Sequence, residues 1–348
     1  MTLTETAYYT RAAIKYSIFF ALFLIVARLF WEVGLGAYRK FYPEPPPPPT
    51  VSFGKLPKLP FLDKKDSSGF TFSLQTPTGE FPKFPTTLNV YFMPQREVSF
   101  LDLDEAAKLA RLLGFSGKMV NLLETIYRFE KDGEPANIDM NIVNKTFSLN
   151  YNLAATPELL SFRPRSTDDA LRTVISLLSQ GNLFPDDLEK GEKSFGFLKP
   201  QAREFVEVPS LSEANFVRVN FFRANYDNLP VLTPDKNIAN TWFLVGADRS
   251  GGSKLIGGEY HYFAADKGNS STYPVKTADT AWEELKNGRG FIISQPESTK
   301  EITIRRVYLA YYDSGEPQGF LQPIVVFEGD RDFVAYLPAV TDEFYGGN

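Results

Sequence analysis

The chain holds one histidine and no cysteine in 348 residues, so few side chains could do chemistry. A Ser-His-Asp triad would have to use His261, which sits in the alternating stretch Glu259-Tyr260-His261-Tyr262-Phe263, and no G-x-S-x-G elbow accompanies it. Alternation of this kind belongs to a strand, where His261 is expected to pack or face solvent. Asp313-Ser314-Gly315 has the tripeptide form in which aspartic proteases hold a carboxylate, but that chemistry needs two carboxylates sharing a proton, and the chain has no second copy. The tripeptide is expected to be a polar hairpin turn. From Gly246 to Lys254 the glycines resemble a phosphate loop, yet Gly251-Gly252-Ser253-Lys254 stands where Gly-Lys-Ser/Thr is required, and no helix follows. A hairpin loop is expected there. The pairs Asp168-Asp169, Asp186-Asp187 and Glu283-Glu284 could supply a glycosidase with two carboxylates about 5–10 Å apart. Sequence neighbours on a helix point in different directions, so helix-start and solvated-face roles are expected instead. There is no zinc motif and no EF-hand loop. No catalytic residue, cofactor or metal is therefore expected.

The bulk composition narrows the classes further. Acidic residues outnumber basic ones, 42 to 37, and the net charge of −5 leaves no basic footprint for a phosphate backbone, so nucleic acid is not an expected partner. Without cysteine there is no disulfide or thiolate, which suits an envelope protein. The 31 phenylalanines and 17 tyrosines favour pleated, half-buried surfaces and hence much sheet.

Whatever these residues do, the element that positions them is the apolar run 16–38. As a helix it reaches about 34 Å, enough for a hydrocarbon core of about 30 Å. Arg28 and Glu32 lie inside it, four apart and so on one helix face, where they can pair or dock on a partner's transmembrane helix. Trp31 and Tyr38 read as interfacial anchors. Ala27-Arg28-Leu29 offers no small-x-small cleavage site, so the segment is expected to stay as a single-pass anchor in the cell membrane. Residues 1–15 form a cytoplasmic head and the body is expected outside, with the lipid bilayer as partner of residues 16–38. A proline-rich stalk is expected over residues 39–69, because Pro45 to Pro49 and the prolines at 57 and 60 favour extended polyproline geometry.

Beyond the stalk the expected class is α+β, and one pattern recurs three times, in modules at 70–152, 153–275 and 276–348. Each has a capped, one-sided helix: Asp102 as cap with a stripe of Ala106, Leu109 and Leu113; Thr167 with Leu171, Val174 and Leu178; Thr277 with Ala281, Trp282 and Leu285. Glycines 114, 181 and 288 end them. Aromatic strands follow, a three-stranded antiparallel meander after the first helix and another after the third. The middle module is enlarged by a loop over residues 225–240 rich in Asn and Pro, long enough to be a binding surface. Asn225, Asn228 and Asn237 are its candidate partner contacts, as Arg28 and Glu32 are those of the anchor.

A helix followed by such a meander is similar to the PepSY fold. The stretch AWEELKNGRG followed by ITIRRVYLAYYDSGEPQGFLQPIVVFEG resembles the closing module of YycH/YycI-type membrane-anchored accessory proteins. The likeness covers the anchor, the module plan and about fifty C-terminal residues; the pentaproline run and the enlarged middle module depart from it. It implies a non-enzymatic extracytoplasmic domain that binds and regulates a membrane or cell-envelope protein. Two other functions fit the same residues: an envelope hydrolase or glycan-processing enzyme using carboxylates, and a structural subunit of a surface assembly.

Overall fold

The computed structural model describes residues 3–41, 47–61, 65–201, 204–296 and 300–347. It divides into two compact units, residues 1–48 and 49–348. The first is α1 (Leu3–Phe41), a single helix. Its stretch Ala13–Leu35 is long and apolar enough to cross a membrane. Residues 3–15 of the expected head and 39–41 of the expected stalk are helical too, since neither stretch carries a helix breaker. Arg28 Nε donates to Glu32 Oε1 at 3.1 Å, the expected i,i+4 pair. Residues 42–46, with the first three prolines of the expected stalk, lie outside the described residues.

The rest of the expected stalk is not a spacer. From Thr50 the chain lies on the body: Val51 N donates to Thr272 O at 3.1 Å, and Leu56 and Leu59 are buried. The short β1 (Leu56–Pro57) pairs in parallel with the C-terminal residues Tyr345–Gly347. Prolines are tolerated on so short an edge pairing, and Val51, Phe53, Leu56, Leu59 and Phe61 between them supply the apolar surface that holds the segment down.

Three further short strands, β2 (Lys65–Asp66), β3 (Thr71–Leu74) and β4 (Thr87–Phe92), precede α2 (Asp102–Leu112). The N-cap of α2 is Leu101, one residue before the expected Asp102, whose carboxylate instead accepts from Ser99 N at 2.7 Å. An antiparallel meander follows, β5 (Met119–Leu123), β6 (Ile126–Glu130), β7 (Ala136–Asn141) and β8 (Phe147–Tyr151), one strand longer than expected. Next come α3 (Thr167–Gln180) and α4 (Asp186–Lys190). The cap of α3 is Ser166 and not Thr167: its hydroxyl accepts from Asp169 N at 3.0 Å. The strands β9 (Lys193–Gln201), β10 (Glu204–Glu207) and β11 (Phe216–Phe221) lead to β12 (Val231–Leu232), and then to β13 (Thr241–Ala247) and β14 (Ser253–Tyr260).

Among the described residues nine strands form one sheet in the order β10-β9-β11-β13-β14-β8-β7-β6-β5. The first two expected modules are thus halves of a single sheet, joined where β14 and β8 pair antiparallel. Both helices lie on one face. Ala106 and Ala110 of α2, and Ala170, Val174, Leu177 and Leu178 of α3, share a core with Phe129, Ile138, Met140, Val217, Val219 and Phe243. Each fully buried Val or Leu in that layer contributes about 1.5–3 kcal/mol.

The remaining elements are β15 (Asp266–Pro274), α5 (Ala278–Lys286), β16 (Phe291–Ser294), β17 (Glu301–Tyr312), β18 (Phe320–Gly329), β19 (Val334–Pro338) and β20 (Tyr345–Gly347). Thr277 caps α5 as expected, accepting from Thr280 N at 3.2 Å. β17-β18-β19 is the expected meander, within a second sheet of order β12-β17-β18-β19-β16-β2. This sheet draws in strands from elsewhere in the chain: β3 runs parallel along β17, and β4 bridges β18 and β15. Residues 71–92 and 266–274 therefore belong with the C-terminal meander, not with the first and middle modules. β18 and β19 are buried on both faces, with Val325, Phe327 and Leu337 toward α5 and Ile324, Val326 and Tyr336 toward Leu59. That explains their continuous apolar run.

Candidate functional site

Alternation along β11 turns Val217, Val219 and Phe221 toward the helices and Arg218 and Asn220 to the opposite face. The register places Gly196 of β9 beside Arg218 and Ser194 beside Asn220. These residues line a cleft of about 880 Å³ whose other wall is made by residues 224–225, 230–232 and 236–237, so strands of the first sheet face β12 of the second. Asn220 holds the cleft together, donating through Nδ2 to Ser194 Oγ at 3.1 Å and accepting at Oδ1 from Ala239 N at 3.4 Å.

The loop 225–240 is divided by this arrangement. Asn225 and Asn237 line the cleft, and neither side-chain amide has a hydrogen-bond partner among the described residues. Asn228 does not line it: it lies in a tight turn in which Tyr226 and Leu229 exchange backbone hydrogen bonds of 3.0 and 2.8 Å, with Asp227 and Asn228 at φ of 49° and 62°. Asp and Asn tolerate that left-handed conformation. The turn is fastened to the second sheet because Asp227 accepts from Tyr91 OH at 2.7 Å, Tyr311 OH at 2.8 Å and Asn89 Nδ2 at 3.0 Å. Burial, reinforced by Asp227, pushes both tyrosines well above the usual phenol range. Arg28 and Glu32 belong to the other unit.

Behind the cleft lies a buried ionic junction that the sequence reading did not foresee. Arg223, only 5% exposed, donates from Nε to Asp187 at 2.9 Å and from Nη1 to Asp313 and the Phe263 carbonyl, both at 3.0 Å. The Tyr226 and Tyr262 rings lie 5.6 and 5.0 Å from its Cζ. Burial alone would push this guanidinium down, but Asp313 and Asp187 together hold it well above its ordinary value. Asp313 and Ser314 do lie in the connection between β17 and β18, and both are buried. Asp187 is likewise not on a solvated face, and Glu284 is buried against Lys276 at 2.9 Å. In each case the local pattern is the same whether the carboxylate meets water or a cation from outside its own element.

His261 also spans the two sheets. Its Nδ1 lies 3.1 Å from Gly315 O and its Nε2 3.2 Å from Glu259 Oε2, two acceptors that favour the protonated ring. The Glu259 hydrogen bond raises its pKa, burial opposes, and the Gly315 carbonyl adds to the rise. Ser148 Oγ donates to Glu259 at 2.6 Å and has no hydrogen bond to His261, so the nucleophile–base contact of a triad is not made. Residues 248–252 close the β13–β14 hairpin through Asp248, whose Oδ1 accepts from Ser250 N and Gly252 N, both at 2.8 Å. Among the described residues no group of three or more His, Asp or Glu side chains is placed to hold a metal.

Arg218 was missed by the sequence reading, although a signal was available: in Phe216-Val217-Arg218-Val219-Asn220-Phe221 the two polar residues fall on one face of an otherwise apolar strand. The chain matches no family model, and no curated protein matches it. The solved structure of an uncharacterized protein from Eubacterium rectale is similar over 80% of this chain and 90% of that one, with 11% identity and a TM-score of 0.40. A likeness of that size carries no argument about fold or function.

Proposed function

We propose that the chain is a single-pass membrane protein, cytoplasmic at its N-terminus, whose extracytoplasmic body binds and regulates a membrane or cell-envelope protein without catalysing a reaction. The observation that carries this reading is the cleft. Its volume of about 880 Å³ is in the range of about 300–1,000 Å³ typical of ligand sites. Its wall is an anchored loop that presents unpartnered carboxamides from Asn225 and Asn237, groups suited to recognition and not to proton transfer at neutral pH. The meander β5–β8 that follows α2 and the meander β17-β18-β19 that follows α5 are the reason for keeping a PepSY-like, YycH/YycI-type relationship within the proposal. A photoreactive residue at Asn237 of the full chain in intact cells is expected to yield a discrete adduct with one envelope protein. Capture of lipid alone, or of nothing, counts against the reading.

A second reading, a subunit of a surface assembly, draws support from the two edges of the nine-stranded sheet. β5 exposes Met119, Leu122 and Leu123, and β10 exposes Phe205 and Val206. Open apolar edges invite pairing with another chain. Sedimentation of the full chain in detergent separates the two: concentration-dependent growth into long assemblies supports the subunit reading, and a single small species supports the first.

A further inference from the structure

The Arg218 guanidinium lies flat against Gly196 of the neighbouring strand. A Cβ added to that glycine would stand 3.1 Å from Nη2 and 3.3 Å from Cζ and Nε, so glycine is what lets the planar group rest on the sheet. The side chain is 12% exposed, its Nη2 pairs with Glu207, and its buried Nε has no acceptor. A guanidinium presents its donors in a fixed fork that fits a carboxylate through two parallel hydrogen bonds. Glu207 satisfies that fork only in part. Its own side chain is 65% exposed, on β10, an outermost strand of the sheet that among the described residues pairs only with β9. The cap on Arg218 is therefore a loosely held carboxylate.

A second feature lies on the other wall. β12 pairs with β17 on one side, no described strand pairs with its other side, and both of its residues line the cleft. Pro230 O and Leu232 O accept from Tyr311 N and Asp313 N, so the main-chain groups turned from β17 are those of Val231, a residue 4% exposed, and an extended main chain can pair with them. Lys236 adds a positive charge to the same wall, its Nζ 4.0 Å from Glu328 Oε1.

We infer that Arg218 is the anchor for a carboxylate on an extended, acidic peptide segment that pairs with β12, and that Glu207 is an internal stand-in which such a segment displaces. The main-chain groups of Val231, which no described strand pairs with, favour a peptide over a sugar acid as the source of the carboxylate. The inference rests on the proposed binding function and adds the chemistry of what the cleft receives.

The test measures binding of fluorescein-labelled hexaglutamate and hexaglutamine peptides to the full chain in detergent micelles. Glu207→Gln removes the competing carboxylate at an exposed position and is expected to tighten hexaglutamate binding roughly tenfold while leaving hexaglutamine unchanged. Arg218→Gln in the Glu207→Gln background is expected to abolish the preference for hexaglutamate, and Arg218→Lys, which keeps the charge without the fork, to lose most of it. Equal hexaglutamate binding by the wild type and Glu207→Gln overturns the inference, and so does retained preference in the Arg218→Gln double variant. Competition by oligogalacturonate as strong as that by hexaglutamate overturns the peptide assignment. Because Glu207→Gln alone carries the first comparison, misfolding of an Arg218 variant leaves the test intact. A protein adduct at Asn237 without tighter hexaglutamate binding refutes this inference and leaves the proposed function standing.

Discussion

Arg223 and Arg218 stand five residues apart, on β11 and just beyond it, yet their surroundings are opposite. Arg223 has two buried carboxylates, a backbone carbonyl and two tyrosine rings, drawn from α4 and from the segments that follow β11, β14 and β17. Arg218 has one exposed glutamate and a nitrogen with no acceptor. A buried cation with every donor used is part of the fold's architecture. One that is nearly buried and only partly paired in the wall of a cleft is where a ligand gains most by arriving. The contrast separates what holds the sheets together from what the cleft offers.

The sharpest way to break this comparison is to remove the first arginine. Arg223→Met leaves Asp187 and Asp313 buried without a cation, and the expected loss is about 3–5 kcal/mol, read as a lowered urea midpoint of the body. Leu56→Ala sets the scale for an ordinary core position and tests whether the segment after Pro49 belongs to the body. Its expected cost is about 2–5 kcal/mol, and a cost near zero would restore the expected stalk.

His261→Gln probes the second tie between the sheets at an expected cost of about 1 kcal/mol near neutral pH. Because the folded state raises the histidine pKa, the contribution is full below the ordinary value near 6.5 and is lost as pH rises through the folded value. Wild type is expected to lose melting temperature relative to His261→Gln over that window, and parallel curves would remove His261 from the junction. The smallest effect should come from Arg218→Met, less than about 1 kcal/mol, since its one partner is exposed. A cost approaching that of Arg223→Met would erase the distinction between the two sites.

What the sequence made legible follows from how local each signal is. The apolar run of α1, the Arg28–Glu32 pair, the one-sided helices and the β17-β18-β19 meander are all encoded within a few residues of themselves. The exchange of β3, β4, β12 and β15 into the second sheet was not legible, because a short alternating strand specifies its faces but not its neighbour. The segment 50–61 was misread because its prolines carried more weight than Leu56 and Leu59. Of the candidate contacts, Asn225 and Asn237 were placed in the cleft by the loop's course, and Asn228 was turned away by a tight turn that its own left-handed conformation helps to make. Asp187 was read as solvated and Asp313 as part of a polar turn because their shared cation, Arg223, lies 36 residues from one and 90 from the other.

The most direct test of the proposed function is paired photocrosslinking in intact cells, with the reactive residue at Asn237 inside the cleft in one experiment and at Asn228 outside it in the other. The account predicts one protein adduct at Asn237 that is weak or missing at Asn228. Equal adducts at both positions, or lipid alone at Asn237, would contradict it.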